Sequence, residues 1–182
     1  MATYCEAIAL MKEGDHEYHK KYHDEKYGFP IQDDNELFCR LVLEINQAGL
    51  SWTTILKKEK NFRKAYNNFN IVKVAAYGEK EVERLLNDPG IIRNRLKIAA
   101  AIYNAGVIKE IKKEHGSFLN WLHKNHPLSR NEWTSLFKRT FRFTGGEIVN
   151  EFLVSTGFLP GAHHTNCKIY KSVLKSKPAW NN

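Results

Sequence analysis

Apolar residues recur through most of this chain at the three- and four-residue spacing of α-helices. The clearest stretch contains Leu37, Phe38, Leu41, Val42 and Ile45. Asp33 or Asp34 can cap this helix at its start. The pattern carries the helix to Ala48, where Gly49 is the kind of residue that ends one.

The same periodicity predicts helices along the rest of the chain. Ser51 caps the next helix, which runs from Trp52 to about Tyr66. Others are predicted over Glu79 to Asn87, Asn94 to about Ala105, Ser117 to Leu122, Trp133 to Arg139 and Glu147 to Ser155. No segment alternates convincingly with the period of a strand. We therefore predict one all-α domain over residues 1–182, with short helices that favour an orthogonal bundle.

One charged residue breaks the apolar pattern of the first helix. Glu44 falls within about 60° of Leu37, Leu41 and Ala48 on a helical projection, so it projects from the apolar side. A carboxylate placed there must be paired, be protonated or face a cavity that uses it. The simpler alternative is a glutamate at the edge of the stripe that reaches solvent or pairs with a lysine.

Composition and charge limit the classes of function that the chain can have. The chain is 42% hydrophobic and 26% charged, and no apolar run approaches the roughly 20 residues that span a bilayer. Residues 1–15 lack the order of a signal peptide, so the cytoplasm is the expected location. The net charge of +8 favours a polyanionic partner, nucleic acid first, over a merely solvated basic surface.

Cysteine and histidine residues near the two ends form a candidate metal site. Three cysteines do not make a disulfide framework. Cys5 and His23 near the start, with His163 and Cys167 near the end, would give a Cys2His2 set suited to structural zinc. The alternative is chance, because eight histidines and three cysteines produce such pairs readily.

A glycine turn near residue 145 is a candidate phosphate site. A basic helix end leads through Thr144, Gly145 and Gly146 into the helix that begins near Glu147. Glycines let backbone approach a phosphate closely, and the free N–H groups of a helix start attract an anion. A plain turn between helices is the alternative.

Several stretches together resemble one family, the type I 3-methyladenine DNA glycosylases (the Tag family), over nearly the whole chain. They are YHDEKYG at 22–28, LEINQAGLSW at 43–52, ILKK at 55–58, GIIRNR at 90–95 and FRFTG at 141–145. The resemblance implies a helix-hairpin-helix fold and excision of 3-methyladenine from alkylated double-stranded DNA by a monomeric enzyme. It also implies zinc on Cys5, His23, His163 and Cys167.

The resemblance also assigns roles at the site. Glu44 matches the glutamate of the base pocket, and Tyr22 and Trp52 match its aromatic base contacts, to which we add Tyr27. Leu50 matches the residue that fills the duplex where the base leaves, although an ordinary core leucine is the alternative. The remaining predicted DNA contacts are Arg93, Arg95, Thr144, Gly145 and Gly146.

The distribution of acidic residues limits the mechanism. No aspartate follows Asp88, so a catalytic aspartate after the hairpin is excluded, and Glu44 is expected to be the only carboxylate available to the base. No lysine occupies an obvious nucleophile position there, so we expect no strand-cleaving lyase step. The rival interpretation is a non-catalytic DNA-binding module with the same fold.

Four positions depart from the family pattern. Ala7 and Tyr27 stand where tryptophans are familiar, which puts base preference in doubt. Residues 8–17 lengthen the interval between Cys5 and His23, so metal binding is expected only if this insertion loops out. Glu147 follows the glycine turn, where a carboxylate would repel a phosphate unless a cation neutralises it.

Overall fold

The computed structural model describes residues 4–182, and in that part of the chain every regular element is helical. The α-helices, numbered in chain order, are α1 (Tyr4–Ala9), α2 (Glu13–Glu25), α3 (Asp34–Gln47), α4 (Trp52–Ala65), α5 (Ile71–Ala75), α6 (Glu79–Leu86), α7 (Arg95–His115), α8 (Phe118–Asn125), α9 (Arg130–Thr140), α10 (Gly146–Ser155) and α11 (Tyr170–Lys175). Short 3-10 turns lie at Asn67–Phe69 and Ala179–Asn181. The predicted all-α class is confirmed, since these residues contain no strand. None of these helices has both the length and the apolar character that crossing a bilayer requires.

The junction between α3 and α4 forms as its sequence predicts. Asp33, rather than Asp34, caps α3 by accepting a hydrogen bond from the backbone N–H three residues on. Gly49 follows the helix with a φ of 80°, a conformation that glycine adopts without a steric cost. Ser51 then caps α4 in the same manner as Asp33 caps α3. The result is a tight turn that holds Leu50 between two well-defined helix ends.

The helices differ from the prediction mainly in α7 and at the two ends of the chain. Helix α7 continues well past Ala105 because Ile108 and Ile111 extend its buried side, and Gly116 ends it with a φ of 82°. Helices α1, α2, α5 and α11 were not predicted. Helix α2 is largely polar, so its sequence lacks the apolar stripe on which the other predictions depend.

The core is built around α3, which is buried along most of its length. Helices α4, α7, α8, α9 and α10 contribute to the same core cluster. Its largest fully buried side chains include Trp133, Tyr66, Phe38, Phe62, Phe69, Phe118, Phe137 and Phe152. Because these helices enclose the middle of α3, polar side chains such as Arg40, Glu44 and Asn46 are held away from bulk water.

A second, smaller cluster lies beside this core and joins distant parts of the chain. It consists of Tyr22, Tyr27, Leu56, Val154 and Ala162. Side chains of α1, α4 and the loop after α10 pack against it. This cluster brings the N-terminal helices against α4 and α10, and one side of it borders the cavity described next.

Candidate active site

A cavity of about 340 Å³ lies where α1, α2, α3, α4 and α10 meet. Its lining combines aromatic rings with two carboxylates and an amide. The residues are Tyr4, Tyr22, Tyr27, Glu44, Gln47, Trp52 and Glu151. Cavities with mostly aromatic walls and a few converging polar groups are typical binding sites for small planar ligands.

Glu44 extends from α3 into this cavity and is only 4% exposed. Burial raises the pKa of its carboxyl from 4.5 to about 8, the Arg40 guanidinium opposes that rise, and Glu151 reinforces it. Arg40 is itself buried and donates hydrogen bonds to the Tyr22 hydroxyl and to the Ser155 carbonyl. The structure therefore places Glu44 in a cavity rather than at a solvent edge.

Three predicted aromatic residues line the cavity together. The ring centroids of Tyr22 and Trp52 are 5.1 Å apart at an interplanar angle of 62°, and those of Tyr22 and Tyr27 are 5.6 Å apart. Tyr4 packs edge-on against Tyr27 at 5.1 Å. The rings hold one another at steep angles, which fixes the shape of the cavity and leaves faces available to a ligand.

Sequence reasoning missed Tyr4, Gln47 and Glu151. The expectation that Glu44 is the only carboxylate at this site is wrong, because Glu151 lines the same cavity. A signal was available: on α10, Glu151 falls about 60° from Val154, which is buried. The place of Tyr4 near the site could have been inferred from its neighbour Cys5, because a metal that binds Cys5 also holds the adjacent residue in position.

Leu50 lies at the tip of the α3–α4 turn and is 39% exposed, so it is not a core leucine. The Gln47 side-chain amide donates to the Leu50 carbonyl at 3.1 Å. Lys97, buried at the start of α7, donates to the carbonyls of Asn46 and Ala48 at 2.9 and 2.7 Å. An ammonium group at these carbonyls caps the end of α3 and fixes the turn that presents Leu50.

The glycine turn leads directly into α10. Thr144 is buried and its hydroxyl donates to carbonyls at the end of α9, so it braces the turn. Gly145 is the cap residue of α10 and supplies no side chain, and Gly146 begins the helix. Glu147 is paired with the Arg130 guanidinium at 2.5 Å, so the repulsion expected from its carboxylate is offset.

Arg93 and Arg95 are exposed at the start of α7. They precede Lys97, which holds the turn that carries Leu50. Helix α7 and its contacts thus link the two arginines with the exposed Leu50 and the glycine turn. Among the predicted residues, only Glu44, Tyr22, Tyr27 and Trp52 line the cavity itself.

Cys5, His23, His163 and Cys167 come together as a compact group that can hold a metal ion. Their four ligand atoms lie within 4.8 Å of one another. The His23 Nε2 to Cys5 Sγ distance is 3.3 Å, and His163 Nδ1 is 3.1 Å from His23 Nε2 and 3.5 Å from Cys167 Sγ. The edges of a tetrahedron around zinc with these ligands measure about 3.3–3.8 Å, so the donor set fits zinc and small shifts of the side chains would complete the geometry.

The hydrogen bonds of the two histidines also fit a metal site. His163 Nε2–H donates to the Tyr27 carbonyl at 2.7 Å, which leaves Nδ1 free to bind a metal. His23 Nδ1–H donates to Asp24 Oδ1 at 2.7 Å, which leaves Nε2 free. Burial lowers the pKa of His163, so its ring is neutral, as ligation requires.

The expectation that residues 8–17 must loop out is wrong. Their first part belongs to α1 and their last part to α2, with a tight turn at residues 10–12 between the two helices. The extra length forms a helical hairpin, and this hairpin returns the chain so that Cys5 still reaches His23. Of the other departures, Ala7 lies in α1 and does not line the cavity, where Tyr4 stands instead.

Known proteins resemble this chain in both sequence and fold. The sequence profile of the methyladenine glycosylase family matches residues 12–135. DNA-3-methyladenine glycosylase 1 of Escherichia coli (strain K12) is 38% identical over 168 residues, covering 82% of this chain and 89% of that protein. The structure of 3-methyladenine DNA glycosylase I from Staphylococcus aureus gives a TM-score of 0.80 at 28% identity, covering 92% of this chain and 97% of that one. A single-residue variant of 3-methyladenine DNA glycosylase I, in complex with 3-methyladenine, gives 0.78 at 28% identity, covering 89% and 95%.

Proposed function

This chain belongs to the methyladenine glycosylase family, and from that premise we infer that it hydrolyses the bond between 3-methyladenine and deoxyribose in alkylated double-stranded DNA. The cavity is the observation that supports this inference most directly. Its aromatic rings surround a buried carboxylate, and its volume suits one purine. A base inside a duplex cannot reach such a cavity, so the nucleotide must first rotate out of the stack.

Base recognition depends on the faces of Tyr22, Tyr27 and Trp52 and on Glu44. Methylation at N3 leaves the adenine of the nucleotide positively charged, and aromatic faces attract a cation. The Glu44 carboxyl can accept a hydrogen bond from the exocyclic amine of the base. Each contact is worth about 1–3 kcal/mol once it is desolvated, and the attraction of the rings and of the carboxylate for the positive charge favours the methylated base over neutral adenine.

The charge on the substrate lowers the chemical demand on the protein. When the C1′–N9 bond breaks, its electron pair returns to the cationic purine, which leaves as a neutral base. Water adds its oxygen to C1′ and loses a proton. Because the leaving group needs no protonation, the main tasks of the protein are to bind, orient and shield the nucleotide.

Glu44 acts mainly by recognising the base and complementing its charge, rather than as an indispensable base for water. The variant Glu44→Gln should therefore bind free 3-methyladenine more weakly than wild type and retain measurable excision. Calorimetric titration and an excision assay test both points. Binding as tight as wild type together with complete loss of excision would show that this role is wrong.

Contacts with DNA surround the mouth of the cavity. Leu50 fills the space that the flipped base leaves, as apolar wedges do in other DNA-bending proteins. Arg93 and Arg95 attract the backbone, and residues 144–146 form the turn of a helix-hairpin-helix element whose N–H groups bind one phosphate. Affinity for DNA should fall steeply as salt is raised.

Zinc is the metal that the Cys2His2 group would hold. When bound, it supplies structural cross-linking, because four protein ligands leave no open coordination position. Cys5 and His23 would thereby be tied to His163 and Cys167, which keeps Tyr4, Tyr22 and Tyr27 in place at the cavity. The protein would act as one monomeric domain in the cytoplasm.

The chain also suits a glycosylase that does not cut the DNA strand. No aspartate follows Asp88, and no lysine is among the residues that line the cavity. An amine nucleophile is what a lyase step requires. Recovery of a protein–DNA adduct after borohydride reduction would contradict this expectation.

Release of bases from methylated DNA tests the proposed function. The assay should compare 3-methyladenine, 3-methylguanine, 7-methylguanine and hypoxanthine, with the metal content measured on the same sample. We expect 3-methyladenine to be released. A protein that binds DNA and holds its metal but releases none of these bases would instead be a non-catalytic DNA-binding module.

A further inference from the structure

Glu151 gives the cavity a second carboxylate, which faces it from α10 while Glu44 faces it from α3. Glu151 is half-buried, and one of its oxygens accepts a hydrogen bond from the Tyr27 hydroxyl at 3.3 Å. The other accepts one from the Asn150 side-chain amide at 3.4 Å. A carboxylate that borders the ligand space in this manner influences which charges the cavity accepts.

The two carboxylates are placed differently with respect to water. Glu44 is deeply buried, and burial raises the pKa of its carboxyl to about 8, so near neutral pH the empty cavity favours its protonated form. Burial also raises the pKa of Glu151, but the hydrogen bonds from Tyr27 and Asn150 oppose that rise. Of the two groups, Glu151 is therefore the one better placed to hold a negative charge.

The position of Glu151 along α10 also matters. The helix begins at Gly146, in the glycine turn that we assign to a phosphate, and Glu151 lies farther along the same helix at the cavity. Glu151 lies five residues beyond Gly146, about 7.5 Å along the helix axis, so one nucleotide can reach both. Among the residues that the structure describes, none of those lining this cavity is basic, and the Arg130 guanidinium acts on Glu151 from outside the lining.

We propose that Glu151 is a specificity-determining residue that makes this cavity select positively charged purines over neutral purines of the same shape. The proposal rests on the function proposed above, because it concerns the charge of the base that the cavity receives. A negatively charged Glu151 attracts a cationic base and offers a neutral base no comparable attraction, and a bound cation also favours ionisation of the neighbouring Glu44.

The alternative is that Glu151 has only a structural role. If Glu151 only accepted the hydrogen bond from Tyr27, glutamine would replace it well, since an amide oxygen accepts the same bond. Glu151→Gln keeps the size and the acceptor and removes the charge. The comparison between carboxylate and amide therefore separates the two roles.

The direct test is calorimetric titration of the intact protein with two small probes. The 3,9-dimethyladeninium cation carries a fixed positive charge, with a methyl group in place of the sugar, and 9-methyladenine is its neutral counterpart. Wild type should prefer the cation, and Glu151→Gln should lower this preference about tenfold or more, which corresponds to about 1.4 kcal/mol. Glu151→Asp, which restores the charge, should recover most of the preference.

Glu110→Gln is the matched control, because it removes the same charge from an exposed position on α7, outside the lining of the cavity. It should leave the ratio of the two affinities unchanged. A Glu151→Gln ratio equal to that of wild type, or a wild type without preference for the cation, would overturn the proposal. A wild type that releases no 3-methyladenine from DNA would instead contradict the proposed function, whatever the two affinities are.

Discussion

At the scale of single residues, the buried carboxyl of Glu44 links stability to function. Its sequence position predicts an unusual environment, because a charged residue on the apolar side of a helix has few stable solutions. In the structure Glu44 borders a cavity, and burial raises the pKa of its carboxyl to about 8. Ionising a carboxyl in such an environment lowers the free energy of unfolding.

That cost gives a prediction for the dependence of stability on pH. Below pH 4.5 Glu44 is protonated in both the folded and the unfolded chain, and its contribution is fully favourable. As pH rises from there towards 8, only the unfolded chain loses the proton, so stability falls. Glu44→Gln abolishes this loss and should unfold about 2–5 kcal/mol less readily than wild type at pH 9.

Thermal unfolding followed by circular dichroism measures this difference. The two proteins should have similar midpoints at pH 5, and the variant should be higher by about 5–15 °C at pH 9. The Arg40 guanidinium favours the ionised carboxyl, so the loss of stability is smaller than burial alone would cause. A variant that is less stable than wild type at pH 9 would mean that Glu44 is ionised and stabilising.

At the scale of elements, the α3–α4 turn joins the wall of the cavity to the exposed Leu50, which we propose contacts the DNA. Lys97 holds the end of α3 from α7, Ser51 starts α4, and Leu50 is left exposed between them. The caps and the glycine are readable from the sequence because each satisfies a local backbone requirement. The contact from Lys97 is not readable, since it joins residues about fifty positions apart and depends on how the helices pack.

Leu50→Ala tests the role of this turn. Excision of 3-methyladenine from duplex DNA should fall about tenfold or more, because the vacated stack is no longer filled. Excision from single-stranded DNA should change little, since no partner strand has to be held open. Single-turnover assays on both substrates measure the difference.

Val72→Ala is a suitable control, because Val72 is also an exposed apolar residue and lies on α5, away from the cavity. It should leave both rates unchanged, and both variants should keep the unfolding midpoint of wild type. Equal losses on duplex and single-stranded DNA for Leu50→Ala would exclude a wedge and indicate a defect in the cavity.

At the scale of the whole molecule, the Cys2His2 group brings residues near the two ends of the chain together. Apolar periodicity predicts α3, α4, α6, α8, α9 and α10 with ends shifted by a few residues, because each buries an apolar stripe. It fails for α1 and α2, which lack a long apolar stripe and contact the rest of the molecule through Tyr4, Tyr22 and the residues of the Cys2His2 group. The meeting of Glu151 with Glu44 was not predicted, since only the folded molecule brings α10 beside α3.

Removing the zinc that we propose for the Cys2His2 group should therefore loosen the N-terminal helices. Treatment with a strong chelator should lower the unfolding midpoint and make residues near the α1–α2 turn more sensitive to proteolysis, because structural zinc contributes directly to folding free energy. Excision should fall as well, since Tyr4, Tyr22 and Tyr27 lie on this part of the chain.

Cysteine variants identify the ligands independently of the chelator. Cys167→Ala should purify with far less than one zinc per chain, whereas Cys39→Ala should keep its zinc because Cys39 is buried in the core and outside the metal-binding group. Elemental analysis measures both. Full zinc content in Cys167→Ala would contradict the assignment of this residue as a ligand.

The most direct test of the central claim is the rate at which 3-methyladenine is released from a duplex that contains one such base, with the protein in excess. Wild type should release the base completely, and Trp52→Ala should release it about five- to hundredfold more slowly, because stacking on an aromatic ring is worth about 1–3 kcal/mol per base. If wild type binds the duplex with its metal in place and releases no base, or if Trp52→Ala is as fast as wild type, the account of this cavity as the site of excision is wrong.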